Sequence, residues 1–375
     1  REKSMIVRSV STAAIAVALV LSGVGAASAP AAGINFGDMK SGVTTAGPET
    51  GKAAISAPTA EAGYKVPRLA DGRPDMTGVW SNASNTRMSR PSGQNLVMTD
   101  DEAAKARAGN AQNVRQATDD NQKLSDGLLT GKDLNSGRGY NSFWIDPGNN
   151  YALVKGTWRT SWIVDPPNGQ VPTKAGGGGR GRGGAGAPAR INGYGYNNPE
   201  ERNLNERCII LGTSGPPIGN YLYNNTLRIM QSADHVVIES EMIHDARVVP
   251  LNAKHKPKEL APWMGDSVGW YEGDTLVIET INMQRGGGSV RLSEAGKIIE
   301  RFTRYNERQV FYEFEVHDPE LYTQVWKGQM SLNAAPGMYE YACHEGNYGL
   351  QNILSGGREA DREGVSPNVE GDDEE

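Results

Sequence analysis

The feature that most constrains the fold is a series of three hairpin patterns in the C-terminal half of the chain. In each pattern, two stretches rich in β-branched and aromatic residues flank a short polar turn, at 232–234, 272–274 and 306–309. Such pairs are typical of antiparallel strands joined by tight turns. No long helical pattern separates them, so the sequence predicts an antiparallel meander. Because the edges of a meander must be covered, we expect a mainly β domain that closes into a barrel or stacks as a sandwich, with a few short helices.

Alternation in the last hairpin assigns the side chains of its second strand to two faces. Glu313, Glu315 and His317 share one face, while the other face carries aromatic and β-branched residues. The apolar face is predicted to enter the core. For Glu315 and His317 we favour exposure to solvent, and the alternative is that this polar face lines a ligand cavity inside a barrel.

The N-terminal residues 1–29 have the order of a cleavable signal peptide. The basic residues Lys3 and Arg8 come first, an apolar stretch follows at 13–21, and small residues occupy 25–29. The apolar stretch is too short to cross a bilayer comfortably. We therefore expect a periplasmic or secreted protein with no stable membrane span after cleavage. A retained membrane anchor is the alternative.

Composition divides the rest of the chain into a flexible leader at 30–66, a single β-rich domain at 67–357 and an acidic tail at 358–375. Within the β-rich domain, the Gly- and Arg-rich stretch 174–190 predicts a disordered surface insertion. The Ala-rich stretch 100–115 predicts a helix capped by Thr99. The formal net charge of -6 and the absence of a large basic block disfavour a nucleic-acid partner, and self-association is left open.

The chain contains two cysteines, Cys208 and Cys343. An even pair in an exported protein is usually structural, so we expect a disulfide. In the chain-entropy model, closing so long a loop contributes about 4–5 kcal/mol. The alternative is a catalytic thiol at Cys343, which stands directly before His344.

Seven strings along the domain carry a family resemblance: DGRPD, GVW, RTSWIVDPPNG, WMGDS, EGDTLV, ERFTR and YACHEGNY. They are similar to those of a large uncharacterised family of exported bacterial proteins. The resemblance implies export and a set of polar motif positions, without implying a reaction. His317 departs from the pattern, where an acidic residue is more usual. The polar motif positions are Arg247, His255, Asp266, Glu272, Asp274, Glu300, Arg301, His344, Glu345 and Asn347.

Four of these positions form the candidate catalytic set. We expect His255 or His344 to move a proton and Asp266 or Glu345 to orient the imidazole. His344 and Glu345 lie far along the chain from His255 and Asp266, so only the fold can bring the two pairs together.

The other candidate positions would hold the ligand. Arg247 or Arg301 would bind an anionic group, and Glu272, Glu300 and Asn347 would complete the set. If the arginines are structural instead, we expect them to be consumed in bidentate pairs with neighbouring carboxylates.

The leading hypothesis is an exported protein that binds a small polar or anionic organic molecule in a barrel-like cavity, with acid/base chemistry of the hydrolase or lyase type. No cofactor is expected, and the histidine spacing does not favour a metal site. Ser267 has glycines two residues before and after it, but it leads into a hairpin rather than a helix, so we interpret this match to the nucleophile elbow as accidental. The rival hypothesis is a non-catalytic extracellular structural or assembly protein.

Overall fold

The computed structural model describes residues 59–109, 148–174, 198–345 and 347–364, together with Ser41 and Tyr196. Several predicted features lie outside these residues. They are the signal peptide at 1–29, most of the leader at 30–66, nearly all of the Gly-rich insertion at 174–190, the second part of the helix at 100–115 and the end of the acidic tail at 358–375.

Thirteen strands and two α-helices form the described part of the chain. The strands are β1 (Gly78–Ser81), β2 (Val97–Met98), β3 (Ala152–Val154), β4 (Thr157–Arg159), β5 (Ile163–Asp165), β6 (Thr226–Gln231), β7 (His235–Ser240), β8 (Ala246–Pro250), β9 (Asp266–Glu272), β10 (Thr275–Ile281), β11 (Lys297–Asn306), β12 (Gln309–His317) and β13 (Trp326–Ala334). The helices are α1 (Asp100–Ala108) and α2 (Tyr348–Glu363).

Ten of the strands build one antiparallel sheet in the order β8-β7-β6-β1-β13-β12-β11-β10-β9, with β5 paired to β13. The three predicted hairpins are confirmed as β6–β7, β9–β10 and β11–β12. A second sheet, β2-β4-β3, packs against the outer face of the large sheet, where Phe311 meets Ala152 and Val154. The fold is therefore mainly β and antiparallel, as predicted.

The large sheet does not close into a continuous barrel, although its two edge strands approach each other. Leu251, just after β8, forms one isolated parallel bridge with Gly269 of β9. The N–H of Asn252 donates to the carbonyl of Gly269 at 2.7 Å. A Cβ at Gly269 would lie 3.0 Å from Cγ1 of Val249, so the close approach favours a glycine. Within the described residues no ladder joins β8 to β9.

The main hydrophobic core lies on the inner face of the large sheet. Alternation in β12 places Tyr312, Phe314 and Val316 in this core, as predicted. The ring of Phe314 meets that of Trp326 edge to face at 5.7 Å, an arrangement that aromatic quadrupoles favour. Gly328 of β13 leaves the room for this ring, because a Cβ there would lie 2.2 Å from Phe314 Cζ.

A buried ion pair crosses this core. Arg247 of β8 is 4% exposed and Glu300 of β11 is fully buried, and the guanidinium donates two hydrogen bonds to the carboxylate, one of them from Nη2 to Oε1 at 3.0 Å. The hydroxyl of Tyr312 donates to the same Oε1 at 2.7 Å and accepts from the N–H of Ile218 at 2.9 Å. Burial lowers the pKa of Arg247, but the charge and hydrogen bonds of Glu300 outweigh it, so this pKa is raised overall. The ligand-binding role predicted for Arg247 and Glu300 therefore competes with a structural one, which this bidentate geometry favours.

Helix α1 begins with the predicted cap. Thr99 Oγ1 accepts from the N–H of Glu102, whose carboxylate accepts in turn from the N–H of Thr99. Such a capping box satisfies two of the free N–H groups at a helix start. Helix α2 was not predicted, and it makes the first residues of the expected tail helical. None of the helices in the described ranges is both long and apolar enough to cross a membrane.

The chain is held against the large sheet earlier than the predicted domain start at residue 67. The N–H of Glu61 donates to the carbonyl of Tyr305 at 2.7 Å, and its carboxylate accepts from Asn306 Nδ2 at 3.0 Å. The end of the predicted leader therefore packs on β11.

Replacement of Arg247 by Met should destabilise the protein by about 3–5 kcal/mol, because it leaves the Glu300 carboxylate buried without a counter-ion. The free energy of unfolding in urea measures this loss. The double variant R247M/E300Q should be more stable than R247M, since Gln still accepts from Tyr312 without a buried charge. The control R228M breaks an exposed pair with Glu239 and should cost less than about 1 kcal/mol. Equal losses for R247M and R228M would contradict the central role of the buried pair.

Candidate functional site

A cleft of about 930 Å³ opens on one side of the molecule. We call it the disulfide cleft, and its walls come from Asn205, Glu206, Cys208, residues 223–226, Glu241, residues 339–343, Glu345 and Asn347, with Ser81 and Ala83 at one side. Volumes of this size are typical of sites for small molecules. The lining consists largely of tyrosines, asparagines and glutamates, and it contains no lysine or arginine among the described residues.

The disulfide predicted between Cys208 and Cys343 joins two walls of the cleft. The two Cα atoms are 5.8 Å apart, and the bond links positions separated by 135 residues. The described part of the chain holds no free cysteine, so the alternative of a reactive thiol at Cys343 is wrong. The cross-link holds the segment before α2 against the segment that precedes β6.

Two predicted site residues, Glu345 and Asn347, line this cleft. Asn347 caps α2, because its Oδ1 accepts from the N–H of Leu350 at 3.4 Å, and its Nδ2 donates to the carbonyl of Glu206 at 3.1 Å. Its amide therefore holds a cleft wall in place. Glu345 is exposed at the rim, and His344 beside it is also exposed.

The corner between β7 and β8 adds a strained segment next to the cleft. Ile243 and His244 have φ angles of 57° and 44°, in the left-handed region that β-branched residues rarely occupy. Nδ1 of His244 lies 3.0 Å from the carbonyl oxygen of Tyr341, across the cleft wall. Backbone strain of this kind is found preferentially at functional sites.

Asp245 follows this corner and has an unusual environment. Burial raises the pKa of its carboxyl from 3.8 to about 7, although the charge of His244 and hydrogen bonds from Ser214 and the backbone of Leu211 oppose the shift. Its Oδ2 is buried and accepts no hydrogen bond within the described chain. A carboxyl that titrates near neutral pH can act as a proton donor or acceptor.

His255 lies elsewhere, on the outer face of the large sheet. Its Nδ1 is 2.8 Å from Oδ2 of Asp266, and its Nε2 is 3.2 Å from Oε1 of Glu279. Burial raises the pKa of Glu279, but hydrogen bonds from Lys297 and His255 outweigh it, and this pKa is lowered overall. Both ring nitrogens of His255 are engaged, so the geometry favours a clamp between two carboxylates over a proton shuttle.

Arg301 takes part in a second network on the same outer face. Its Nη1 donates to Oε1 of Glu315 at 2.9 Å, and Lys327 Nζ donates to the same oxygen at 2.9 Å. Nε2 of His317 lies 3.0 Å from the other oxygen of Glu315. Burial raises the pKa of Glu315, but the hydrogen bond and charge of Lys327, with the charge of Arg301, lower it overall.

Two further sequence candidates also have structural partners. The carboxylate of Glu272 accepts from Nε1 of Trp270 at 2.8 Å at an exposed turn. Ser267 is buried within β9, where its Oγ is 2.8 Å from Oγ1 of Thr280. This environment agrees with the interpretation of the serine motif as accidental.

The sequence candidates therefore lie in four places: the core, the outer sheet face, the exposed turn after β9 and the disulfide cleft with its rim. No hydrogen bond or ion pair joins His255 to His344 in the described part of the chain. Glu241 and the tyrosines that line the cleft were not predicted, because single glutamates and tyrosines are too common in a sequence to indicate a site. Among the described residues, no group of three or more histidine, cysteine, aspartate or glutamate side chains is arranged to hold a metal ion.

Comparison of the chain with family models, with curated proteins and with solved structures found no match.

The disulfide should stabilise the protein through the loop it closes. We expect the variant C208A/C343A to lose about 4–5 kcal/mol of free energy of unfolding. Titration of the denatured, unreduced wild type should find no thiol. As a control, wild type and variant should unfold alike in the presence of a thiol reductant. Two titratable thiols, or a variant as stable as the oxidised wild type, would contradict this role.

Asp245 should make stability depend on pH in a defined direction. Because its folded pKa is about 7 and its ordinary value is 3.8, the folded state keeps a proton that the unfolded state releases. The resulting stability is present at low pH and is lost as the pH rises from about 4 to about 7. The free energy of unfolding of D245N minus that of wild type should therefore increase across this interval and then level off. The control D101N, at an exposed carboxylate, should show no such rise, and a constant difference for D245N would refute the shift.

Proposed function

We propose that the protein is exported and binds a small polar organic molecule in the disulfide cleft. The observation that carries the proposal is the lining itself, in which amide, phenol and carboxylate groups face a cleft of about 930 Å³. Such a lining offers both hydrogen-bond donors and acceptors to a ligand.

The cleft replaces the barrel lumen as the proposed place of the ligand. The inner face of the sheet is filled by core side chains, among them Phe302, Phe314 and Trp326. The arginines first considered for an anionic ligand are engaged with carboxylates, Arg247 with Glu300 and Arg301 with Glu315. An anionic ligand is therefore disfavoured, and the proposal narrows to neutral or cationic molecules.

Export is proposed on three grounds. Residues 1–29 have the pattern of a signal peptide, and the motif strings resemble those of exported bacterial proteins. The disulfide between Cys208 and Cys343 is of the kind that persists in oxidising compartments.

Acid/base chemistry is a second candidate function, favoured by one observation. The carboxyl of Asp245 has a pKa of about 7. Asp245 directly follows the strained residues Ile243 and His244, which come after Glu241 in the chain. Asp245 does not itself line the cleft, so binding is the main proposal and proton transfer an extension of it.

A cleft-filling variant tests the proposal. Ala342 is exposed and lines the cleft, so A342W should fill it without removing a described contact. The matched control A253W places the same ring on an exposed loop outside the cleft. In a thermal-shift screen of polyols, sugars, amino acids, amines and dicarboxylates, we expect compounds that stabilise wild type and A253W but not A342W.

Two outcomes of the same screen would overturn the proposal. One is that no compound distinguishes wild type from A342W. The other is that A342W, unlike A253W, changes the oligomeric state in analytical ultracentrifugation while no small molecule binds. That result would favour the rival assembly function, for which the exposed Tyr339 and Tyr348 offer contact surface.

A further inference from the structure

Glu241 is the most buried charged residue among those that line the disulfide cleft. It is 4% exposed, whereas Glu340 and Glu345 are exposed. Its Oε1 accepts two hydrogen bonds, from Asn224 Nδ2 at 3.0 Å and from the N–H of Tyr339 at 3.4 Å. Both bonds fix the side chain against the wall of the cleft.

The second carboxylate oxygen of Glu241 has no such partner. Within the described chain, Oε2 accepts no hydrogen bond, and no Lys, Arg or His nitrogen lies within 4.0 Å of the carboxylate. Glu241 lines the cleft, and each oxygen of a carboxylate can accept two hydrogen bonds. A donor from a ligand in the cleft would supply the missing partner.

Aromatic side chains line the same cleft as this carboxylate. Tyr223 and Tyr341 both line the cleft, and the side chain of each affects the pKa of the other. Burial raises the pKa of Tyr223, and it also raises that of Tyr341, so both phenols stay uncharged at neutral pH. Neutral tyrosine rings attract cations through their negative faces.

We infer that the ligand of the disulfide cleft is a small organic ammonium ion, with an N–H donated to Oε2 of Glu241 and an alkyl chain against Tyr223 and Tyr341. This deepens the proposed function and rests on it. The charge of the lining favours a cation over a neutral polyol, because the described residues that face the cleft include four glutamates and no lysine or arginine. One of them, Glu206, is already paired with Arg202, which leaves Glu241 as the buried anchor.

Isothermal titration of the full chain with putrescine, agmatine, choline and tetramethylammonium tests the inference. At least one primary amine should bind wild type, and butanediol, which matches putrescine in chain length but lacks the charge, should not. The isosteric variant E241Q keeps the acceptor for Asn224 and Tyr339 and removes the charge, so it should weaken amine binding by about tenfold or more. The control E307Q removes one charge from an exposed turn and should bind like wild type. Added sodium chloride should weaken binding to wild type, because the attraction is screened.

The possible results of this experiment test the class of ligand and the location of the binding site separately. Binding of butanediol or glucose that A342W abolishes, without binding of any amine, would overturn the ammonium inference and leave the cleft as a site. Amine binding that E241Q and E307Q weaken equally would overturn the role of Glu241. If no compound of any class binds in a way that A342W abolishes, both the inference and the proposed function fail. Thermal unfolding of E241Q confirms that the variant folds before its affinity is interpreted.

Discussion

The structure depends on the ion pair between Arg247 and Glu300, which crosses the core between two distant strands of the same sheet. Neither charge could stay in this interior alone, because desolvation of a single unpaired ion costs several kcal/mol. Tyr312 completes the arrangement by donating to Glu300 and accepting from Ile218, so the pair also fixes the segment before β6. A purely apolar contact of the same size would tolerate sliding. A bidentate pair with a third hydrogen bond sets the relative position of β8 and β11.

The two faces of the large sheet are stabilised by different interactions. On the inner face, bulky side chains fill the space around the buried pair, and the sheet curves over them until Leu251 meets Gly269. On the outer face, charges alternate between neighbouring strands, with His255 and Glu315 at the centres of two networks. Partly buried networks of this kind add specificity of register more than free energy. The polar side chains of β12 are therefore engaged within the protein, Glu315 in ion pairs and the buried Glu313 in a hydrogen bond from Gln329.

Local patterns in the sequence predicted the parts of the fold that depend on neighbouring residues. Alternation and turn chemistry located the three hairpins, the inward face of β12 and the cap at Thr99, because these features depend on spacing within one segment. The pairing of β1 with β13 could not be foreseen, since it joins segments more than two hundred residues apart and β1 is short. The same dependence on distant segments explains why the core position of Arg247 was not predicted. As a polar residue in a motif it resembled a ligand contact, and only the long-range approach of Glu300 reveals its place in the core.

The candidate site was the part least predictable from the sequence, because its main groups belong to no motif and no recognisable spacing pattern. Glu241 precedes a corner where Ile243 and His244 adopt backbone angles that cost of order 1–3 kcal/mol each. Asp245 follows with a carboxyl whose Oδ2 has no partner in the described chain. A segment that served only to turn the chain could be relieved of both costs by a glycine and an asparagine. The strained backbone and the unsatisfied carboxyl occur together next to a cleft whose walls are joined by a disulfide, and this is the physical argument for placing function there.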